Sequence, residues 1–366
     1  MAQTLPNTGS PRTGSPLPAP VRARRPDAPP RRPRAADARR AARDLRHLLL
    51  VTCAVPVVGS AVDFAALAGA PVHGWSDALL PWLRLACSAA TGAWLVRLSA
   101  ARAARRPAPR PALRLWAALA LAALAVGARA VDLVRAGEAQ GATGSLATTA
   151  LLAWLCGELA VRHGAGWRGL GVRPPGARTP AGRLTAVMVF GAVFVIAYTT
   201  VTWMAHLQLT LPEVAPRLPV LDGAQSAALG WRGPADMVAN VLFTGVAEEM
   251  VLVGAVVVLG HAAGRPLWAV CALSLALRVA AHLYLGVPGA ALVLLGACAL
   301  VLYLRYGRLT PLAAGHVVYD LAASWAPSTA ALHTWAFAAL LTTGAAFAVW
   351  LNWFAPSTGP EGEPGR

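Results

Sequence analysis

The stretch VLFTGVAEEMVLVGAVVVLG, residues 241–260, decides the fold, because it is long and apolar enough to cross a membrane. Glu248 and Glu249 lie side by side within it, and no other ionisable residue occurs between Val238 and Gly260. Two adjacent carboxylates in hydrocarbon are costly unless something compensates them, and such residues commonly mark functional sites. The stretch therefore predicts a membrane helix and a polar partner for these two side chains.

The rest of the chain has the same apolar character. Of its 366 residues, 57% are hydrophobic and 13% are charged, which is not the composition of a soluble globular domain of this size. Apolar segments recur along the chain, at residues 47–70, 79–97, 112–134, 145–161, 184–207, 235–262, 266–285, 289–305, 310–325 and 331–353. Because backbone polar groups in lipid need partners within their own segment, these segments must be helices. The sequence predicts an all-α polytopic membrane helix bundle of about eight to ten transmembrane helices.

The positive charge follows the predicted topology. The net charge of +16 would suit a nucleic-acid partner, but the position of the charge argues against one. Most of the 32 basic residues, all arginines, lie in segments on one side of a ten-span topology: 1–46, 97–114, 162–183, 263–266, 305–309 and the C-terminal tail. Cytoplasmic loops carry such an excess and contact anionic lipid headgroups. We therefore expect a multi-pass protein of the cell (plasma) membrane with both termini cytoplasmic, membrane lipid as a partner and no nucleic acid.

A loop rich in Pro, Gly and Arg near residues 165–183 divides the chain. We expect four parts: a disordered Arg/Pro-rich cytoplasmic tail at 1–46, N-terminal transmembrane helices at 47–161, a helical core at 184–325, and a C-terminal transmembrane helix at 331–353. The ionisable residues of the N-terminal helices match no catalytic pattern, and we interpret them as pairing or snorkelling groups: Asp63, Arg84, Asp132 and Glu158.

Three C-terminal segments each carry a pair of polar side chains. The pairs are Glu248 and Glu249, then Arg278 and His282 in LRVAAHLYLG, then His316 and Asp320 in PLAAGHVVYDLA. Residues four apart share one face of an α-helix, so each of the last two pairs points in one direction. Adjacent residues diverge by about 100° on an α-helix. We therefore expect the two glutamates to face different points and to have different roles.

These residue types supply what the hydrolysis of a peptide bond needs. A carboxylate in a low-dielectric pocket can act as the general base for water, and a histidine beside it can steer the proton. A second histidine can donate a hydrogen bond to a developing oxyanion. The set therefore favours an intramembrane endopeptidase. Two alternatives remain: a transporter with an intramembrane proton relay, and a catalytically inactive immunity or scaffold protein.

Three short segments carry a resemblance to a known family. EEMVLV (248–253), RVAAH (278–282) and HVVYD (316–320) stand in the order of the Glu-Glu-x-x-x-Arg, Phe-x-x-x-His and His-x-x-x-Asn/Asp motifs. In this respect the chain resembles the CPBP (CAAX protease and bacteriocin-processing, or Abi) family of intramembrane proteases, which includes the CAAX prenyl endoproteases. The resemblance covers residues 184–325. It implies a CPBP-like catalytic helical core that hydrolyses a peptide bond in a membrane-associated or prenylated protein or peptide.

The resemblance also implies a role for each polar residue. Glu248 and His282 would activate the water, His316 and Asp320 would line the oxyanion side, and Glu249 would be a supporting carboxylate. These ligand types also suit zinc, and a bound metal would have Glu248, His282 and His316 as its ligands. The resemblance favours no metal and no other cofactor, and instead implies hydrolysis that depends on glutamate.

The sequence departs from the family motifs at two positions. Val253 replaces the arginine of the first motif, and Arg278 replaces the phenylalanine of the second. We hypothesise that the cation has moved to the next helix, where Arg278 forms a structural ion pair with Glu249. Such a pair would offset the cost of burying a carboxylate.

The three motifs also pose a problem of depth. In a straight ten-span topology, Glu248 is in mid-span, His282 is late on its helix and His316 is early on its own. At 1.5 Å per residue, their depths differ by more than a hydrogen bond allows. We therefore expect short, tilted or offset helices, or a boundary that differs from the prediction.

Overall fold

The structure is a computed structural model that describes residues 35–67, 69–70, 73–105, 109–134, 141–173, 179–210 and 233–325. Within these residues the regular secondary structure is helical and includes no strand. Seven of the helices are long and apolar enough to cross a membrane. The prediction of an all-α polytopic membrane helix bundle is therefore confirmed. The predicted helix at 331–353 lies outside the described residues.

The N-terminal half contains four long helices, each rich in Ala and Leu. They are α1 (Ala35–Leu67), α2 (His73–Arg105), α3 (Pro109–Val134) and α4 (Ala142–Arg162), and the short α5 (Gly166–Gly169) follows them. Each of the four packs against the next one along the chain. Helices α1 and α4 also contact the C-terminal half, so they form the wall between the two groups of helices.

The C-terminal half is less regular. Its helices are α6 (Pro180–Thr210), α7 (Pro234–Gly245), a π-helix (Val246–Ala255), α8 (Val256–Ala262), α9 (Leu267–Ala280), 3-10 turns at Leu283–Leu285 and Val287–Ala291, α10 (Leu292–Tyr306) and α11 (Leu309–Trp325). The π-helix joins α7 and α8 into one continuous apolar span, Pro234–Ala262. A π-helical segment within an α-helix is rare and frequently lies at a functional site.

The predicted tail is wrong for residues 35–46, which form the first turns of α1. Alanines dominate this segment and favour a helix. Its Asp44 is buried, with Oδ2 2.9 Å from His163 Nε2 and 3.5 Å from Arg162 Nε at the end of α4. This contact anchors residues 35–46 to α4, although their arginine-rich composition is typical of the predicted tail. Residues 1–34 lie outside the described part of the chain.

Several arginine-bearing helix ends meet at one end of the bundle. Near the end of α4, Glu158 Oε2 lies 2.6 Å from Arg102 NH1 of α2, and Glu158 Oε1 lies 3.1 Å from Arg114 NH2 of α3. The loop after α5 reaches the start of α11, where the Leu309 N–H donates to the Gly171 carbonyl at 3.0 Å. We call this the arginine-rich end. Glu158 is therefore a pairing group, as its sequence context indicated.

The π-helix lies among five other helices. Helices α1, α4, α9, α10 and α11 all pack against it. Most of its apolar side chains are in the main hydrophobic core, including Met250, Val251, Leu252, Val253 and Ala255. Glu248 and Glu249 are therefore held inside the protein and not toward lipid.

Helix α9 is shorter than the predicted span 266–285. Its 14 residues extend about 21 Å, less than the roughly 30 Å hydrocarbon core. It ends at Ala280, and the chain then reverses through the 3-10 turns, with Gly286 at φ 60° and Pro288 after it. The prediction of a longer helix is wrong, because an apolar composition does not reveal where a helix stops inside the bundle. This early end resolves the problem of depth, since it leaves His282 beside Glu248.

Candidate active site

Arg278 binds both glutamates of the π-helix. Its NH1 lies 2.9 Å from Glu248 Oε2, and its NH2 lies 2.9 Å from Glu249 Oε1. NH2 also donates to the Glu248 backbone carbonyl at 3.3 Å. Arg278 and Glu249 are both 0% exposed, and Glu248 is 7% exposed. The sequence hypothesis gave Arg278 one carboxylate partner, and the structure gives it two.

The expectation that the two glutamates face different points is therefore wrong. A π-helix holds more residues in each turn than an α-helix does, so neighbouring side chains diverge by less. The planar guanidinium also presents donors along two edges, and one arginine can bind two carboxylates. Val253, which stands in place of the family arginine, is buried in the hydrophobic core. The cation of this site thus comes from α9.

His282 approaches Glu248 from just beyond the end of α9. Its Nδ1 lies 2.8 Å from the Arg278 carbonyl oxygen. Because a carbonyl only accepts, Nδ1 carries the hydrogen and donates it, which leaves Nε2 of the neutral ring with a free lone pair. Nε2 lies 3.4 Å from Glu248 Oε1, the glutamate oxygen that Arg278 does not bind. When the ring is neutral, two acceptors thus face each other at a distance that one water molecule can bridge.

His316 approaches Glu249 from α11. Its Nδ1 lies 2.7 Å from Glu249 Oε1, and its Nε2 lies 3.6 Å from Asp320 Oδ2. The first distance is a hydrogen bond that the ring donates, whereas the second is longer than one. Glu249 Oε2 is buried and has no hydrogen-bond partner among the described residues. One oxygen of Glu249 therefore holds both Arg278 and His316, while the other oxygen is unused.

The position of His316 depends on close contact between α11 and α6. A Cβ added at Gly315 would lie 2.5 Å from the Phe190 backbone oxygen, a distance at which only glycine fits. On the other side of α11, a Cβ at Gly245 would collide with Val317. Two glycines thus let α11 approach both α6 and the span that carries the glutamates.

Ser274, a buried residue of α9, was not predicted from the sequence. Its hydroxyl donates to the Leu252 carbonyl of the π-helix at 2.7 Å. Side chains that bond to helix carbonyls commonly accompany distortions of the helix. The spacing of Ser274, Arg278 and His282, four residues apart each time, could have revealed it, because such residues lie on one face. This face of α9 is turned toward the π-helix.

The structure brings all of the predicted site residues together, but it groups possible metal ligands differently from the sequence. Glu248, Glu249 and His316 offer ligand atoms that all lie within 4.8 Å of one another. The predicted ligand set contained His282 instead of Glu249. The residue types fit zinc. The charge does not, because the Arg278 guanidinium already lies 2.9 Å from both carboxylates. A divalent cation would have to displace it or share its partners.

Three comparisons with known proteins bear on the site. Neither the curated proteins nor the solved structures gave a match. Residues 230–322 match the family described as Type II CAAX prenyl endopeptidase Rce1-like. This range is narrower than the predicted 184–325, yet it contains all six polar residues. At the family level, the match supports a CAAX-type intramembrane protease, and it confirms the family resemblance that the three motifs predicted.

Proposed function

We propose that the protein is an intramembrane endopeptidase that hydrolyses a peptide bond in a membrane-associated or prenylated protein or peptide. The observation that carries the proposal is the pair formed by Glu248 Oε1 and His282 Nε2, which lie 3.4 Å apart. When the ring is neutral with its hydrogen on Nδ1, as the bond to the Arg278 carbonyl requires, both atoms are acceptors. A general base must be within hydrogen-bond reach of the proton that it removes. A water that donates one hydrogen to each atom satisfies both acceptors and is the nucleophile of the proposed reaction.

The first chemical step adds this water to the scissile carbonyl. Glu248 takes a proton from the water while the water oxygen bonds to the carbonyl carbon, and the carbonyl oxygen becomes an oxyanion. His282 accepts a hydrogen bond from the second hydrogen of the water. This bond directs a lone pair of the water oxygen toward the carbonyl carbon. Arg278 binds the other oxygen of Glu248, so the carboxylate keeps one orientation throughout this step.

His316 stabilises the oxyanion in this proposal. Both of its ring nitrogens face carboxylate oxygens, those of Glu249 and Asp320. An imidazolium donates from both nitrogens, and Nε2 can turn from the distant Asp320 to the oxyanion. Glu249 and Asp320 act as positioning residues for this ring. The step ends when the carbon–nitrogen bond breaks and the leaving amine takes the proton that Glu248 holds.

We also propose that the reaction needs no metal or other cofactor. The support is the position of Arg278, which supplies the positive charge between the two carboxylates. Zinc would supply a polarised water if it were bound, and the residues that would hold it are Glu248, Glu249 and His316.

The proposed partners are membrane lipid and a substrate that is itself associated with the membrane, with no nucleic acid. We place the protein in the plasma membrane with its arginine-rich end and both termini on the cytoplasmic side. The meeting of arginines from α2 and α3 near the end of α4 supports this orientation. Protease protection of terminal tags in inside-out vesicles tests it, and tags protected in those vesicles would contradict it.

The function is tested with purified protein in lipid vesicles and a panel of farnesylated, geranylgeranylated and unmodified peptides. We expect cleavage of at least one lipidated peptide, and we expect the Glu248→Ala variant to cleave none. Cleavage that persists in Glu248→Ala would contradict the role of Glu248. A wild-type protein that cleaves nothing would favour the inactive immunity or scaffold protein. Proton flux through vesicles, without cleavage, would favour the transporter.

A further inference from the structure

We infer that α1, which lies outside the region matched to the family, takes part in the active site. Specifically, Ser60 of α1 positions His282 by fixing the backbone at Tyr284. This inference rests on the proposed function, because it assigns Ser60 and Tyr284 as positioning residues for the histidine that orients the water.

The contact that carries the inference joins residues 224 positions apart in the sequence. The Tyr284 backbone N–H donates to the Ser60 hydroxyl oxygen at 2.8 Å. Ser60 is 3% exposed, and α1 packs against the whole 3-10 turn Leu283–Leu285. A buried N–H without a partner costs free energy comparable to a lost hydrogen bond. The hydroxyl of Ser60 thus determines where the turn can lie.

This turn is the segment that carries His282 out of α9. Three backbone bonds hold it locally: His282 N–H donates to the Val279 carbonyl at 2.9 Å, Leu285 N–H to the His282 carbonyl at 3.0 Å, and Gly286 N–H to the Leu283 carbonyl at 2.8 Å. The Tyr284 N–H instead points away from α9 toward α1. Ser60 therefore restrains the chain two residues after His282. At that position the backbone N–H of Tyr284 bonds to another helix instead of to the turn itself.

The Tyr284 side chain transmits the restraint to the imidazole. Its ring lies 5.7 Å from the His282 ring, centroid to centroid, with 34° between the planes. The two rings are neighbours, so a shift of Tyr284 changes the packing of the imidazole. Helix α1 also packs against the π-helix that carries Glu248. The same helix thus contacts both elements that hold the water-activating pair.

The test compares Ser60→Ala and Ser60→Thr with a matched control, Ser99→Ala. Ser99 is also buried, at 4% exposed, and its hydroxyl has no hydrogen-bond partner among the described residues. Hydrogen–deuterium exchange of a peptide spanning 283–286 measures the bond itself. Steady-state cleavage of the best lipidated peptide measures kcat and KM, and thermal unfolding checks that each variant folds.

We expect Ser60→Ala to speed exchange at 283–286 and to lower kcat about 10-fold to 100-fold, because small displacements of a catalytic group have effects of this size. KM should stay within about twofold, since substrate binding energy is not what is lost. Ser60→Thr keeps the acceptor and should retain slow exchange and most of kcat. Ser99→Ala should match the wild type in both measurements.

The inference is overturned if Ser60→Ala leaves the exchange at 283–286 unchanged. It is equally overturned if exchange rises but kcat does not fall, since Ser60 would then have only a structural role. Failure of the proposed function is distinguishable from both outcomes. In that case the wild type cleaves no peptide, or Glu248→Gln cleaves as fast as the wild type, whatever the exchange experiment gives.

Discussion

Two of the buried carboxylate sites in the described part of the chain are paired with arginine in different ways. At the arginine-rich end, both oxygens of Glu158 are bound: Oε2 by Arg102, and Oε1 by Arg114 and the Trp154 indole N–H at 3.1 Å. In the C-terminal core, a single arginine, Arg278, binds both Glu248 and Glu249. At the first site both carboxylate oxygens accept a hydrogen bond, whereas at the second site Glu249 Oε2 has no partner among the described residues.

The difference separates a structural site from a chemical one. Glu158 accepts hydrogen bonds at both oxygens from side chains of α2, α3 and α4, and it thereby ties these helices together. At the π-helix, Glu248 Oε1 faces only a histidine nitrogen that accepts, and Glu249 Oε2 has no hydrogen-bond partner in the described part of the chain. Buried polar groups without partners are rare, and a catalytic role is one explanation for them. The two carboxylate sites therefore differ in the pairing of their oxygens and not in their burial.

The largest expected effect compares the two glutamates directly. Glu248→Gln keeps the shape of the side chain but removes the base, and we expect cleavage to fall about 10²- to 10⁴-fold, the usual contribution of a general base. Glu158→Gln, a matched change at the other site, should leave kcat unchanged. Single-turnover cleavage in vesicles measures both. Equal losses of cleavage activity in the two variants would contradict the distinction between a structural and a chemical site.

The next effect concerns the arginines. Arg278→Gln leaves two buried carboxylates without a cation, and we expect the free energy of unfolding to fall by about 3–5 kcal/mol. Arg102→Gln should cost about 1 kcal/mol or less, because Arg102 is partly exposed and Arg114 remains on Glu158. Chemical unfolding in mixed micelles measures both changes.

Two further changes test the ion pair of Arg278 more specifically. Arg278→Lys should recover only part of the lost stability, since an ammonium lacks the fork that spans two carboxylates. Exchange of the charges in Glu249→Arg with Arg278→Glu should recover part of what either single variant loses. Single variants that are as stable as the wild type would show that the ion pair does not stabilise the fold.

A smaller effect is expected at Ser274, which bonds the π-helix. Ser274→Ala leaves the Leu252 carbonyl without this donor, and we expect a loss of about 1–3 kcal/mol in stability, together with a lower kcat. Thr91 is the control, since its buried hydroxyl donates at 2.7 Å to the Cys87 carbonyl of its own helix, away from the site. Thr91→Val should leave kcat unaltered. A Ser274→Ala variant with wild-type kcat would show that Ser274 has no role in the active site.

The smallest effect is the expected lack of response to chelation. Because arginine supplies the cation at both carboxylate sites, exhaustive dialysis against a strong chelator should change neither the cleavage rate nor the melting temperature. Cleavage rates before and after dialysis, with zinc added back as a control, provide the measurement. Activity that disappears and returns with zinc would contradict the proposal and point to Glu248, Glu249 and His316 as ligands.

The fold was largely predictable, because a membrane span is a local property of composition. All nine predicted spans that fall within the described residues correspond to helices. The errors in the prediction concern the ends of helices. Helix α1 includes residues 35–46, whose Asp44 pairs with His163, and α9 stops at Ala280 where the chain reverses. Both ends depend on contacts between residues distant in sequence, which composition cannot reveal.

For the site, the sequence by itself determined the six polar residues and their assignment to three segments, because ionisable groups in apolar spans are costly and conspicuous. Only the tertiary structure decided how they meet. The π-helix turns both glutamates toward Arg278, the early end of α9 brings His282 to Glu248, and α1 supplies Ser60 to the turn beyond it. These arrangements arise from the packing of one helix on another, and the periodicity of a single segment carries no information about its neighbours.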